Sequence, residues 1–596
     1  MSGYNGTILR INLSKAEITK EKLNQELAQK FIGGRGLGTK LFYDEVNPKV
    51  EPLSEENKLI IATGPLSGTF TPTGGRYMVV TKSPLTHTIA SSNSGGKWGA
   101  ELKFAGYDVI IIEGKAKTPV YISINDDTVE IKPAQEIWGK ITSETTDYLI
   151  NKEGKDVKVL NIGPAGEKLS NIACIMNDYD RAAGRSGVGA VMGSKNLKAI
   201  VVKGSNKVDI AKPDELKDFV KVLQQKIKDN GVTGAGLPAY GTAVLVNIIN
   251  ENGVFPTNNF QKSQFDKAED ISGELLAEKY LVKKKGCFAC PIACGRHVKM
   301  DDKEVGGPEY ETIWGFGGDC GINNMEAIIK ANHLCNEYGL DTISASVTLA
   351  TAMELFQNGK ITKDMTENTP LSWGNAEAII EWTKKMGLRE GLGDDLALGS
   401  YRLAEKYGMP ELSMSVKKQE LPAYDPRGIK GQGLAYATSN RGGCHVRAYL
   451  ISPEILALPE KLDKFSLENK PVWVRIFQDL TASIDSLGLC LFTSFAVNAE
   501  EYAKLYSLVT GIEMTQEDIL MAGDRIWNLE RMFNYASGLT QADDVLPKRL
   551  LNDPIADGPA KGHVHELDKL LPEYYQLRGW DENGYPKKET LQKLGL

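Results

Sequence analysis

The chain has 596 residues, 41% of them apolar and 25% charged, which is typical of a water-soluble globular protein of about two to four domains. Its 70 basic and 77 acidic side chains give a net charge of −7, which excludes a protein-wide basic field for nucleic acid. We find no apolar run of the roughly 18 residues that a membrane helix needs, and no signal-peptide pattern at residues 1–13. We therefore expect a cytoplasmic enzyme that contacts neither membrane nor nucleic acid.

The first third of the chain alternates short apolar runs with glycine-rich segments. Runs of this length are typical of strands, and they occur at Thr7–Leu13, Leu59–Thr63, Tyr77–Thr81, Asp108–Ile112, Val120–Ile124 and Ala199–Val202. The glycine-rich connections are residues 33–38, 64–68, 74–76, 93–96 and 181–189. Glycine permits positive φ and close backbone approach, so these loops together predict a surface that fits a large rigid ligand. Each loop alone is equally compatible with a tight turn.

Two familiar phosphate-binding motifs fail in this region. Residues 33–38 lack the third glycine of G-x-G-x-x-G, and residues 187–195 end in Gly-Ser-Lys instead of Gly-Lys-Ser/Thr. The sequence therefore supports neither a nicotinamide cofactor nor ATP. Arginines next to glycine remain at Arg76, Arg181 and Arg185; a guanidinium suits a phosphate or a planar heterocycle, although a lone arginine is more often a surface ion-pair partner.

Beyond residue 208 the apolar period becomes helical. The predicted helices are Asp214–Asp229, Glu326–Tyr338, Ser344–Leu355, Ala376–Met386 and Ala397–Tyr407. Loops are predicted at residues 236–241 and 358–375, and no internal repeat with a period of roughly 20–50 residues is evident.

One short pattern does recur in the helical part. Residues 336–341 read Asn-Glu-Tyr-Gly-Leu-Asp, and residues 485–490 read Asp-Ser-Leu-Gly-Leu-Cys. Each follows a predicted helix, where glycine would end the helix and turn the next residues towards a shared site.

The cysteines indicate a redox cofactor. Cys287, Cys290 and Cys294 have C-x-x-C-x-x-x-C spacing, which can surround three corners of an iron–sulfur cubane, and Cys490 can supply the fourth thiolate. The spacing alone leaves open a zinc site, an unmetallated core, or a three-cysteine cluster with one open iron. The other four cysteines, which are scattered, are interpreted as buried small apolar residues: Cys174, Cys320, Cys335 and Cys444.

Together these motifs resemble the tungsten-containing aldehyde:ferredoxin oxidoreductase family. The resemblance covers essentially the whole chain, including the Gly-Gly-Arg-Gly-Leu-Gly and Gly-Pro-Glu-Tyr-Glu-Thr segments, the paired Gly-Leu motifs and the four cysteines. It implies an α+β fold with a β-rich saddle domain at residues 1–208 and two mostly helical domains at 209–412 and 413–596. It also implies one tungsten between the dithiolenes of two pyranopterins, Mg²⁺ bridging their phosphates, and a [4Fe–4S] cluster.

The resemblance assigns cofactor contacts residue by residue. The cluster ligands would be Cys287, Cys290, Cys294 and Cys490. The pterin contacts would be Arg76, Asn93, Gly95, Arg181, Ala182, Gly184, Arg185, Asn336, Leu340, Asp341, Arg447, Asp485 and Leu489. Asn336 departs from the aspartate usual in the family; because the amide keeps an acceptor oxygen but no charge, we expect a weaker pterin hydrogen bond.

The resemblance also implies the catalytic residues. We predict that Glu311 activates water and that His445 polarises or protonates the aldehyde oxygen, because oxidation to the acid adds a water oxygen and removes a hydride equivalent. Electrons would pass through the cluster to ferredoxin, and acid reduction would be the reverse reaction. Taken by themselves, both residues would be interpreted as ordinary structural side chains.

The sequence allows more than one oligomeric state and more than one function. Some family members join subunits through an iron held by E-x-x-H, but residues 330–333 read Lys-Ala-Asn-His, so we predict a monomer or a dimer without bridging iron. The alternative functions are a catalytic subunit of a larger Fe–S complex acting on another substrate, such as an aromatic thioester, or a non-catalytic electron-transfer subunit. A non-catalytic subunit has no need of Glu311 and His445.

Overall fold

The computed structural model describes residues 1–596, and two six-stranded sheets form its first third. The first sheet has the order β2-β1-β6-β3-β4-β5. Its strands are β1 Thr7–Asn12, β2 Glu17–Lys22, β3 Leu59–Thr63, β4 Tyr77–Lys82, β5 Ile89–Ser94 and β6 Val109–Glu113. Strands β1 and β6 are parallel, whereas every other neighbouring pair is antiparallel.

The second sheet repeats the topology of the first. Its strands are β7 Val120–Asn125, β8 Thr128–Pro133, β9 Lys158–Asn161, β10 Ile175–Asn177, β11 Arg181–Ala183 and β12 Leu197–Lys203, in the order β11-β10-β9-β12-β7-β8. Counted from the β8 edge, the order is β8-β7-β12-β9-β10-β11. In this order β7 and β8 form an antiparallel hairpin, β7 and β12 are parallel, and the remaining neighbours are antiparallel, as in the first sheet. The sequence search missed this duplication because its period is longer than the repeats sought and the matching strands differ in sequence.

Helices dominate the rest of the chain, so the predicted β-rich region followed by helical regions is confirmed. The helices among the two sheets are Gln25–Phe31, Gly34–Glu45, Trp98–Phe104, Thr142–Glu153, Pro164–Glu167 and Val188–Ser194. Those of the central region are Pro213–Asp229, Leu237–Tyr240, Leu245–Glu251, Gly273–Lys279, Tyr310–Phe316, Met325–Tyr338, Thr342–Gln357, Ala376–Leu388, Leu392–Leu396 and Ser400–Lys406. Those of the last region are Lys430–Thr438, Ile451–Glu454, Lys470–Leu487, Ala499–Thr510, Gln516–Ser537, Lys548–Asn552, Leu567–Arg578 and Lys588–Leu594.

A small three-stranded sheet carries the three-cysteine segment. Its strands are β13 Leu281–Lys285, β14 Gly295–Met300 and β15 Lys303–Gly306, and the cysteines lie in the connection between β13 and β14. A two-stranded ladder, β16 Ser415–Val416 with β17 Gln419–Glu420, completes the strands. The hydrophobic core of the central region is built around helix Thr342–Gln357, which is buried along almost its whole length.

Three local predictions were wrong. The predicted helix Ala397–Tyr407 is interrupted, because Gly399 has φ +88° and the chain restarts as helix Ser400–Lys406, with the Ser400 N–H donating to Glu420. Residues 236–241, predicted as a loop, are mostly helical, since helix Leu237–Tyr240 lies within them and ends at Gly241, which has φ +64°. The glycine-rich segment 33–38 is not a loop either, since helix Gly34–Glu45 begins within it.

These early glycines allow a helix to touch the second Gly-Leu motif. A Cβ on Gly34 would lie 2.2 Å from the Asp485 carbonyl oxygen, and one on Gly36 would lie 2.2 Å from that of Phe31. The Gly36 N–H also donates to Ser486 Oγ at 2.9 Å. Glycine is required here for backbone packing within the protein, and not for a flexible loop.

The helical run Gly231–Glu251 is an apolar segment that the sequence analysis did not expect. It is 21 residues long with a mean hydropathy of 1.4, enough for a membrane span by length and composition alone. Glycine, proline and polar residues within the segment hid it from inspection of the sequence. Several of its side chains line the internal cavity described below, which explains its apolar composition within the fold.

Candidate active site

Both Gly-Leu motifs are sharp turns at helix ends, as predicted. Gly339 (φ +73°) ends helix Met325–Tyr338 and Gly488 (φ +84°) ends helix Lys470–Leu487. Each glycine occupies the left-handed region and its N–H closes the last helical turn.

Each turn rests on one of the two sheets. Gly64 follows β3, and a Cβ there would lie 2.1 Å from the carbonyl carbon of Leu487. Gly163 follows β9, and a Cβ there would lie 2.4 Å from the carbonyl carbon of Tyr338. The duplicated sheets therefore present the two turns in equivalent positions.

Thr73 connects the distant fourth cysteine to the three-cysteine segment. Its N–H donates to the Ala289 carbonyl at 2.9 Å, and its Oγ1 accepts from the Cys490 N–H at 3.0 Å. One residue of the first sheet region thus binds both segments, which lie almost two hundred positions apart in sequence.

Arg76 lies between the thiols. Its Nη2 donates to Cys490 Sγ at 3.1 Å, and a Cβ on neighbouring Gly95 would lie 2.9 Å from Cys287 Sγ and 3.5 Å from Arg76 Cζ. Burial raises the pKa of Cys290 and of Cys294. No group of three His, Cys, Asp or Glu side chains is arranged to hold a single metal ion.

Arg76 also begins a hydrogen-bonded network around the second turn. Its Nη1 donates to Asn93 Oδ1 at 2.7 Å, and Asn93 Nδ2 donates to Asp485 Oδ1 at 3.3 Å. Asp485 further accepts from Arg447 Nη1 at 2.8 Å and from Arg35 Nη1 at 3.5 Å. Two guanidinium groups thus converge on one buried carboxylate.

The first turn has a simpler environment. Asp341 accepts from Arg185 Nε at 3.0 Å and from the Ile343 N–H at 3.1 Å, so it caps helix Thr342–Gln357. The Asn336 side chain has no hydrogen-bond partner in the protein; its backbone carbonyl accepts from Thr142 Oγ1 at 2.8 Å.

A cavity of about 460 Å³ opens between these turns and the helical regions. The predicted site residues that line it are Arg76, Gly95, Arg181, Ala182, Gly184, Cys287, Cys294, Glu311, Asn336, Leu340, Asp341 and His445. The other predicted residues do not line it: Asn93, Arg185, Cys290, Arg447, Asp485, Leu489 and Cys490. Most of these lie behind the wall and hydrogen-bond to residues that reach it or to one another, whereas Leu489 is packed in an adjoining hydrophobic core.

Glu311 and His445 face each other in the cavity wall. Glu311 Oε2 accepts from the Ala423 N–H at 3.0 Å, whereas Oε1 has no hydrogen-bond partner and lies 3.5 Å from His445 Nε2. Burial raises the pKa of Glu311 to about 8. Burial, with the nearby Arg185 and Arg441 guanidinium groups, lowers the pKa of His445 to about 3.

These pKa values refine the predicted roles. A histidine with a pKa near 3 is neutral at neutral pH, so His445 fits the polarising role and not that of an imidazolium proton donor. Glu311 exchanges its proton near physiological pH, as a general base should.

Sequence reasoning missed the aromatic and apolar walls of the cavity. Tyr424 Oη and Tyr449 Oη are 3.0 Å apart, and both rings pack near His445, with centroids 6.0 and 6.1 Å from its own. Val244 and Ile248 line another wall from the 231–251 helical run. The apolar composition of that run was the one available signal.

The chain matches two family models across almost its entire length. Residues 8–204 match the N-terminal domain of aldehyde ferredoxin oxidoreductase, and residues 218–596 match its domains 2 and 3. The chain belongs to the aldehyde ferredoxin oxidoreductase family. The predicted resemblance is therefore confirmed.

Individual relatives agree with this membership. The chain is 55% identical to the tungsten-containing aldehyde ferredoxin oxidoreductase of Pyrococcus furiosus, covering 100% of this chain and 99% of the relative. It is 32% identical to an aliphatic sulfonate oxidoreductase, WOR-like subunit, of the same organism, covering 100% and 97%. Among solved structures, the active-site complex BamBC of benzoyl coenzyme A reductase matches with a TM-score of 0.87 and 27% identity, covering 100% of this chain and 97% of that chain.

The residues present fit the tungstopterin and iron–sulfur cluster that the family implies. Arg181 has buried Nε and Nη2 atoms without hydrogen-bond partners, and both point to an absent acceptor. Burial and the Arg35 and Arg441 guanidinium groups lower the pKa of Arg447 to about 9, so a further anion would relieve this concentration of positive charge. The four cysteines supply the donor set of a [4Fe–4S] cluster.

Proposed function

We propose that this chain oxidises aldehydes to carboxylic acids and passes the electrons to ferredoxin. The observation that carries the proposal is the Glu311–His445 pair in a cavity that is also lined by cluster cysteines and by Arg181, whose Nε and Nη2 atoms have no hydrogen-bond partner. Identity of 53–55% over essentially the full length of tungsten-containing aldehyde ferredoxin oxidoreductases supports the same activity.

The reaction takes an aldehyde and water to a carboxylic acid, two electrons and two protons. When bound, tungstopterin accepts the two electrons and the cluster transfers them singly. Glu311 Oε1, left free because Oε2 is held by the Ala423 N–H, receives a proton from water. Neutral His445 donates a hydrogen bond to the aldehyde oxygen, and the cavity walls exclude bulk water.

Cofactor binding divides among the chain's own residues. We propose that Cys287, Cys290, Cys294 and Cys490 hold the cluster. The pterins would be held by two groups, one for each turn: Arg76, Asn93, Gly95, Arg447, Asp485 and Leu489 with the second turn, and Arg181, Ala182, Gly184, Arg185, Asn336, Leu340 and Asp341 with the first. Mg²⁺ bridging the pterin phosphates belongs to the same proposal.

The thioester alternative is less well supported. The BamBC complex shares the fold but only 27% identity, half the value for the aldehyde enzymes. We therefore favour aldehydes over aromatic thioesters. Acid reduction is the same reaction reversed.

Assembly and compartment are also part of the proposal. Lys330, which occupies the position of the usual carboxylate ligand, is 3.3 Å from Asp301, and burial lowers the pKa of nearby His333. We propose a cytoplasmic monomer, or a dimer without bridging iron.

The test is an anaerobic assay of the tungsten-loaded enzyme with benzyl viologen as electron acceptor. We expect reduction of the dye with acetaldehyde or benzaldehyde and none with benzoyl coenzyme A. Turnover of the thioester without turnover of either aldehyde would overturn the proposal in favour of the alternative.

A further inference from the structure

The cofactor set comes closest to solvent at the three-cysteine segment. Cys287, Cys290 and Cys294 are half-buried, and Ala289 and Pro291 between them are exposed. Electron transfer falls off with distance, so a redox partner has to bind where the cluster is nearest the surface. This segment is therefore the place to look for a docking surface.

An exposed aromatic side chain lies beside this segment. Phe70 is 42% exposed at the tip of the turn that ends in Thr73, and Thr73 binds the Ala289 carbonyl. Large apolar side chains are rarely left in water, and aromatic residues are enriched at protein interfaces. Phe70, Ala289 and Pro291 are thus exposed apolar residues on two segments that Thr73 joins next to the cluster cysteines.

Basic side chains flank these apolar residues. Lys97 follows Gly96, whose carbonyl accepts from the Phe288 N–H at 3.0 Å in the cysteine segment. Lys284 lies three residues before Cys287 on the open edge of β13. Both lysines are exposed and neither forms an ion pair.

The acidic side chains nearby do not form ion pairs with these two lysines. Asp180 pairs with Lys285 at 2.7 Å and with His297 at 3.0 Å, and Asp178 keeps its charge but accepts from the Lys97 backbone N–H at 2.6 Å. The ammonium groups of Lys97 and Lys284 are therefore free to contact a partner. This local positive charge stands out because the whole chain carries −7, which on its own would repel an acidic protein.

We propose that Phe70, Ala289 and Pro291, flanked by Lys97 and Lys284, form the docking surface for a small acidic iron–sulfur electron carrier. The proposal rests on the proposed function, which supplies ferredoxin as the acceptor. The lysines steer the acidic carrier at a distance and the apolar centre holds it over the cluster. This division between charged rim and apolar centre is common in protein interfaces.

The experiment compares the double variant Lys97→Glu/Lys284→Glu with Lys299→Glu. Lys299 is an exposed, unpaired lysine at the far end of β14, away from the cysteines, so it is a matched control. Binding of a purified acidic [4Fe–4S] ferredoxin to the cluster-loaded protein is measured by calorimetry at low and high salt. Steady-state aldehyde oxidation is measured with the same ferredoxin and with benzyl viologen.

We expect the double variant to bind ferredoxin at least about ten-fold more weakly at low salt and to lose most of its salt dependence. Its KM for ferredoxin should rise by a similar factor, while its rate with benzyl viologen stays unchanged, because the dye is too small to need the surface. Lys299→Glu should behave as the wild type, and Phe70→Ser should weaken binding several-fold at both salt concentrations.

Equal ferredoxin binding by the double variant and the Lys299→Glu control would overturn the docking proposal. Failure of the wild type to reduce benzyl viologen with an aldehyde would instead overturn the proposed function. The calorimetric comparison still decides the docking surface in that case, since it does not depend on turnover.

Discussion

The two Gly-Leu turns have the same backbone geometry but end in different chemistry. In the first, Asp341 pairs with Arg185 and caps a helix; in the second, Cys490 occupies the matching position and accepts from Arg76. Both turns rest on equivalent sheets through paired glycines. The duplicated scaffold therefore places one arginine and one acceptor in each half, and a single residue decides whether that acceptor is a carboxylate or a cluster thiol.

This difference separates the proposed electron route from the proposed catalytic pair. In the proposed mechanism electrons leave through the half that contains Cys490, whereas Glu311 and His445 lie on the side of Arg185 and Asp341, whose charges act on the pKa of Glu311. The density of charge also differs, since Asp485 is held by Arg447 and Arg35 while the side chain of Asn336 has no partner. The variants below each disturb one half.

Removing the thiol should affect both cofactor content and turnover. We expect Cys490→Ser to lower cluster iron and to reduce aldehyde-dependent ferredoxin reduction at least about 100-fold, because it removes a direct ligand and even outer-shell partners of metal sites are worth about 10–100-fold. Iron content and the electron paramagnetic resonance spectrum of the reduced protein are the measurements. The buried Cys335→Ala is the control, and an intact cluster in Cys490→Ser would show that the fourth ligand lies elsewhere.

On the other half, Glu311→Gln should lower kcat by about 100- to 10,000-fold, the usual contribution of a positioned general base. Iron and tungsten contents should stay at wild-type values, which separates a catalytic defect from a loading defect. Aldehyde oxidation near the wild-type rate in this variant would remove Glu311 from the mechanism.

Asp485→Asn should destabilise the protein by about 3–5 kcal/mol, because it leaves the buried Arg447 guanidinium without its carboxylate, whereas Arg35 keeps its pair with Glu530. The midpoint of chemical denaturation measures this loss. Asp301→Asn, which breaks an exposed pair with Lys330, should cost at most about 1 kcal/mol. Equal shifts of the denaturation midpoint in the two variants would contradict the claim that the buried Asp485 pair stabilises the protein more than an exposed pair does.

The pH dependence of kcat/KM should reveal Glu311. Its carboxylate is the proposed base, and burial raises its pKa to about 8, so kcat/KM should rise with pH and level off above that value. Below that pH, kcat/KM should fall about ten-fold for each pH unit. His445, with a pKa near 3, should add no further step at neutral pH. A flat profile between pH 6 and 9 would contradict this assignment.

The smallest effect is expected from Asn336→Asp, which makes the first turn resemble the second. The carboxylate keeps the acceptor oxygen and adds a charge at a position with no competing partner. We expect a change of no more than a few-fold in kcat/KM and a shift in the reduction potential of the tungsten centre, measured by redox titration. A large loss of pterin content would show that Asn336 has a role that aspartate cannot fill.

The sequence was sufficient where local rules determine structure. Apolar periodicity located six strands of the two large sheets and the helices Pro213–Asp229, Met325–Tyr338, Thr342–Gln357 and Ala376–Leu388. The helix-ending role of Gly339 and Gly488 followed from their place after a helical pattern. The sequence was not sufficient where contacts between distant segments determine the structure. Residue 34 has to be glycine because a Cβ there would lie 2.2 Å from the Asp485 carbonyl oxygen, and nothing in the neighbouring residues reveals this contact.

In the candidate site, too, residue identities could be predicted from the sequence, whereas contacts between distant segments could not. Family motifs supplied the cysteines, the arginines and the Glu311–His445 pair, but not the pairing of Glu311 Oε1 with His445 Nε2. Nor could they show that Thr73 joins the two cysteine segments, since that contact depends on the mutual placement of three distant segments. The pKa values follow from burial, which is a property of the folded chain alone.

Elemental analysis of the anaerobically purified protein tests the central claim most directly. The account predicts about four iron atoms and about one tungsten atom per chain, with pterin released on denaturation. Iron at that level without tungsten, molybdenum or pterin would contradict it, and the chain would then be an electron-transfer protein on the scaffold of an oxidoreductase.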